Sequence, residues 1–163
     1  MRVLKGLAVL MVVMVVLLTG VLAFSTQAQA ATYCWYAVDG NTSTVSYMRL
    51  SLADYGSGHY SVAGTATVYN TTTGASSIAE ANGAAEVTTA LNTDGQTVST
   101  LETALSVIGG STTSIVVADV HLLLDASSMS GSYFRTMKTY TTSTTPATDT
   151  RYDGVATLTT CLY

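Results

Sequence analysis

Apolar and polar residues alternate along most of the chain after residue 30, the pattern of a strand with one buried face. Between Val45 and Asp54, the residues Met48, Leu50 and Leu52 fall on one side and Tyr47, Arg49 and Ser51 on the other. From His59 to Tyr69, a shared face carries Tyr60, Val62, Ala66 and Val68. A short glycine-rich connection, Tyr55-Gly56-Ser57-Gly58, separates the two runs and predicts a hairpin. Ser114 to Asp125 is the most apolar stretch. Val116, Ala118, Val120, Leu122 and Leu124 form a face without an ionisable group, opposite Ile115, Val117, Asp119, His121, Leu123 and Asp125. Burying the second set would strand charge away from water, so the first set is expected inward.

Two segments are ambiguous. Ser76 to Leu91 reads as two short strands about an Asn82-Gly83 turn, as one long strand with a bulge there, or as an Ala-rich helix. In Gln96 to Ile108, Leu101, Leu105 and Ile108 fit helical spacing, whereas Leu101, Leu105 and Val107 share a strand face. The Thr and Ser content favours the strand.

Turn signals divide the chain at Asp39-Gly40-Asn41, Asn70 to Ala75, Asn92 to Gly95, Gly109-Gly110, Ser130-Gly131 and the hydroxyl-rich Thr141 to Thr150 segment around Pro146. The first strand is Tyr33 to Val38, and the last runs from Gly154 through Cys161. The sum is an all-β, antiparallel up-and-down meander of about seven to nine strands by these turn signals. Cys34 and Cys161 flank it, and a disulfide between them brings the two chain ends within about 7 Å at Cα. That favours a small closed barrel, with a β-sandwich as the alternative. In outline the architecture is similar to lipocalin- and avidin-like barrels, although no motif carries the resemblance residue by residue.

The first thirty residues depart from this pattern. Arg2 and Lys5 precede an unbroken apolar run from Leu7 to Leu18, and Ala28-Gln29-Ala30 offers small residues at a cleavage site. Residues 1–30 are expected to be a cleaved signal peptide, and residues 31–163 a single barrel domain outside the cytoplasm, secreted or periplasmic. An uncleaved anchor over Leu7 to Phe24 is the alternative.

Charge narrows the partners. After residue 30 the chain holds ten acidic residues against Arg49, Arg135, Lys138 and Arg151, a net charge of −6. Nucleic acid is excluded as a partner, and no basic patch is present to draw the cleaved chain to anionic lipid. Thr makes up about a fifth of this part, as suits pleated surfaces that are hydroxylated rather than charged.

Catalytic chemistry is not evident. His121 stands two residues from Asp119, and His59 beside the Gly-Ser-Gly turn, but no Ser or Cys has a nucleophile context. Glu80, Glu86, Glu102 and Asp119 are the acids on strands, without a pairing that spacing reveals. Asp149 to Gly154 lacks the ligands of a calcium loop. No catalytic residue, metal or cofactor is therefore expected. Asn41-Thr42-Ser43 and Asn70-Thr71-Thr72 match the glycosylation sequon.

The aromatic residues are the remaining candidates. Trp35, Tyr36, Tyr47, Tyr60, Tyr133 and Phe134 lie on strands, and inside a barrel they would line a ligand cavity or simply fill it. The leading expectation is a non-catalytic barrel that binds a small molecule or glycan at its mouth or interior. The alternative is a structural or surface-interaction protein using its Thr/Tyr-rich sheet. An integral outer-membrane barrel is a weaker third reading, because Asp119 and His121 interrupt the apolar face of their strand.

Overall fold

The computed structural model describes residues 30–40, 43–110, 114–141 and 148–162. The strands are β1 (Ala31–Asp39), β2 (Thr44–Gly56), β3 (His59–Asn70), β4 (Ser76–Leu91), β5 (Thr97–Gly110), β6 (Ser114–Asp125), β7 (Ser130–Thr141) and β8 (Thr148–Thr159). Each pairs antiparallel with the next, and β1 pairs with β8, so the meander closes into an eight-stranded barrel. Closure leaves no unpaired strand edge. Residues 1–29, all but the last of the expected signal peptide, and Asn41 lie outside the described residues.

The alternation in the sequence becomes the inside and outside of the barrel. Met48, Leu50 and Leu52 are buried on β2, as are Val62 and Ala66 on β3. On β6, Ala118, Val120, Leu122 and Leu124 are buried with Val116 half-buried, whereas Asp119 and Asp125 are exposed. Both ambiguous segments are strands. Leu101, Thr103, Leu105 and Val107 alternate inward on β5, and Ile108 faces out.

β4 is one strand of 16 residues, without a turn, a helix or a register shift at Asn82-Gly83. Gly83 pairs with Val62 on one side and Leu105 on the other. A Cβ there would lie 2.0 Å from the Ala104 carbonyl oxygen. The residue is glycine because the neighbouring backbone comes too close for any side chain, a device that lets a barrel wall bend.

Other boundaries shift in the same way. Asp39 is a buried strand residue rather than part of a turn, and Gly109-Gly110 ends β5 rather than breaking the chain. Ser130-Gly131 begins β7; the preceding turn is residues 126–129, where the Asp125 carboxylate accepts the Ser127 and Ser128 backbone N–H groups. β8 ends at Thr159, short of Cys161, because the tail leaves the sheet there and crosses the outer surface. Cys34 and Cys161 are bonded, with Cα atoms 5.2 Å apart. The Leu162 N–H donates to the Tyr47 hydroxyl at 2.6 Å, and that hydroxyl reaches the Thr160 carbonyl at 3.4 Å. The tail thus straps the β8–β1 seam onto β2. It also covers Cys34, which alternation places on the outer face yet which is buried.

Candidate functional site

The six aromatic candidates do not converge on one cavity. Side chains alternate along a strand, so the adjacent pairs Trp35/Tyr36 and Tyr133/Phe134 must point to opposite faces. Trp35 and Tyr133 are buried inside the barrel, and Tyr60 packs half-buried against the same core. Tyr36 is exposed, and Tyr47 holds the C-terminal strap. Phe134 stacks on His121 outside the barrel, with ring centroids 4.7 Å apart. The indole N–H of Trp35 donates to the Met129 carbonyl at 2.8 Å, so this ring is a structural filler tied to the β6–β7 turn.

The interior is filled at its waist and open toward both ends. Trp35, Leu50 and Leu122 close the middle. Toward the end where β2 starts and β3 finishes, a cavity of about 430 Å³ lies among Met48, Ala66, Val107, Val116, Ala118 and Val120, with Thr44, Ser76, Ser77 and Ser114 also in its lining. A smaller space of about 310 Å³ at the opposite end is bounded by Tyr33, Leu52, Tyr60, Val87, Leu101 and Met129. Tyr60 and Tyr133 therefore serve different spaces.

The larger cavity has a polar stretch of wall built around two charged residues. Arg135 follows Tyr133 by two positions and so shares its inward face; Asp39 follows Ala37 in the same way. Both charged residues are buried, and an Arg135 terminal nitrogen donates to Asp39 Oδ2 at 2.6 Å. β8 runs between their strands. There Gly154 is in register with Asp39 on one side and with Tyr133 on the other. Having no side chain, it leaves the inner surface of β8 free where the two charges meet.

Other groups complete this polar stretch. The Arg135 guanidinium carbon sits 4.5 Å from the centroid of the Tyr152 ring, a cation–π contact. Its Nε–H finds no acceptor among the described residues. The Tyr133 and Ser46 hydroxyls are 3.4 Å apart. Burial pushes the Tyr133 hydroxyl above its usual pKa, with Arg135 pulling the other way, so it stays a neutral donor and acceptor. Arg135, Ser46, Tyr133 and Tyr152 all line the cavity. The arrangement offers hydrogen-bonding groups on the wall of a largely apolar space, with one cation balanced by one anion.

Elsewhere the candidate chemistry is dispersed over the outside. Asp119, Glu80, Glu86 and Glu102 are exposed, and Glu86 stands directly opposite Glu102. His59 Nδ1 lies 3.9 Å from Glu86 on the same outer face. Among the described residues, no three His, Cys, Asp or Glu side chains gather as metal ligands would. The Asn70 side chain accepts the Thr72 and Thr73 backbone N–H groups and shapes the β3–β4 turn.

The sequence did hold a signal for the missed pair: counting by two from Trp35 reaches Asp39, and from Tyr133 reaches Arg135. Comparison with known proteins finds no family model, no curated protein and no solved structure that matches this chain.

Proposed function

We propose that this chain is a non-catalytic barrel protein that works outside the cytoplasm and binds a small molecule or glycan in the cavity lined by Val116 and Arg135. The observation that carries the reading is that cavity: about 430 Å³, with a wall of apolar side chains interrupted by polar groups. Ligand sites have this character and typically enclose about 300–1,000 Å³. An eight-stranded barrel has room inside for side chains or for one small ligand, and here the filling stops short of this end. The disulfide agrees with an oxidising compartment. Charged residues distributed over the outer face, among them Arg49, Glu80, Glu102, Asp119 and Lys138, suit water around the barrel better than lipid.

Titration of the purified protein with the uncharged fluorescent probe N-phenyl-1-naphthylamine tests the reading. Saturable binding at one site per chain is expected, and Val116→Trp, which fills the cavity from a half-buried wall position, should abolish it without altering the circular dichroism spectrum. The absence of saturable binding, or binding that Val116→Trp leaves intact, overturns it.

One observation favours a second reading, a surface-interaction role. Ile78, Ile108 and Ile115 are each more than half exposed on adjacent strands β4, β5 and β6. Clustered apolar side chains of this kind mark contact surfaces. Under that reading Ile108→Asp would abolish association with a partner while leaving probe binding unchanged.

A further inference from the structure

We infer that the cavity selects uncharged amphiphiles: molecules with an apolar body and a hydroxyl, carbonyl or amide head that is received beside Arg135, Ser46 and Tyr133, in preference to the carboxylate or ammonium of the same skeleton. The inference rests on the ligand-binding reading above and specifies the ligand that reading leaves open.

A lone buried arginine would recruit an anion. This one is already matched: Asp39 is buried with it, 2.6 Å away, and the pair brings no net charge to the cavity wall. The other lining residues are apolar, hydroxylated or amide-bearing, so a charged head would find no uncommitted opposite charge among them. Bringing an ion into such a site removes its water without supplying a counter-charge, which is costly. A neutral head loses far less and finds partners at hand. The Tyr133 and Ser46 hydroxyls, in a long 3.4 Å contact with each other, can each donate and accept. The apolar body is received by Met48, Ala66, Val107, Ala118 and Val120. The acidic surface of the chain works in the same direction against anions, since ten acidic residues face four basic ones after residue 30.

The test is displacement of the naphthylamine probe by octan-1-ol, octanamide, octanoate and octylammonium at pH 7.5, with Asp39→Asn as a second protein. In the wild type, the alcohol and amide should displace probe at concentrations lower than either ion by about tenfold or more, given the cost of burying an unmatched charge. Asp39→Asn leaves the guanidinium without its counter-charge, so octanoate should gain about tenfold or more while octylammonium does not. Octanoate or octylammonium equal to the alcohol in the wild type overturns the inference while the binding reading stands. So does an Asp39→Asn protein that folds and binds octanoate no better. Should Asp39→Asn fail to fold, the comparison of the two ions with the alcohol in the wild type decides alone. If probe binding itself is absent, the binding reading falls and the inference with it.

Discussion

Asp39 and Arg135 are 96 residues apart in sequence and 2.6 Å apart at their side-chain tips, on strands that are not neighbours. They meet across β8 beside the larger cavity, which Arg135 lines, opposite a glycine. A buried pair of this kind gains little over an apolar pair of similar shape, but breaking it leaves an uncompensated charge. Arg135→Met or Asp39→Leu alone should therefore cost about 3–5 kcal/mol, and the double variant markedly less than the two together. Urea unfolding of the four proteins checks this. Additive costs would mean that the two side chains do not act as a pair.

The inside-out order of β6 makes a second prediction. Leu122 is fully buried, and His121, one residue away, lies on the outer face against Phe134. Leu122→Ala should cost about 2–5 kcal/mol through lost burial and a cavity. His121→Ala loses one stacked surface contact and should cost about 1 kcal/mol or less. A larger loss at His121 than at Leu122 would invert the face assignment of the strand.

The Cys34–Cys161 bridge closes a separation of 127 residues, nearly the whole barrel. In the chain-entropy account, closing a loop of that length stabilises by about 5 kcal/mol. The double variant Cys34→Ser/Cys161→Ser should lose an amount of this order in equilibrium unfolding. Thiol titration of the unreduced, unfolded wild type should find no free thiol. Two reactive thiols would show that the strap is held by Tyr47 alone.

Acid stability should depend on Asp125. The Ser127 hydroxyl, then the Ser128 backbone N–H, donate to its carboxylate and lower its pKa from 3.8 to about 2. The folded state therefore prefers the ionised form, and the stabilisation is present above the unfolded value and lost as pH falls from about 4 toward 2. Asp125→Ala should lower the melting temperature at neutral pH, with the gap to wild type closing as the pH approaches 2. A gap that stays constant over that range would remove the hydrogen-bonded carboxylate as its cause.

Most of the fold was legible in the residue order because a sheet with one wet face imposes a period of two, and this chain keeps it. Met48, Leu50 and Leu52, then Val62 and Ala66, then the even positions of β6 could be assigned inward before any pairing was known. Two cysteines near the ends of the meander in turn implied the closed seam. Where a residue had two meanings, order along the chain did not decide. Asn82-Gly83 has the composition of a turn, but Gly83 serves instead to admit the Ala104 carbonyl of the next strand. Asp39 looked like a turn residue because Gly40 follows it, although it continues the inward series of Trp35 and Ala37.

The candidate site was less legible than the fold. Periodicity assigns a residue to a face but does not tell which inward residues share a height in the barrel, since that depends on register summed around eight strands. Tyr60 and Tyr133 are both inward, yet they belong to cavities at different ends. Arg135 and Asp39 are both inward, and only the register of β1 and β7 against β8 brings them together over Gly154. The sequence by itself thus determined strands, faces and the stapled seam, which follow from local alternation and from cysteine count. The tertiary structure decided where filling stops and which charges meet, because both are properties of side chains gathered from strands far apart in the chain.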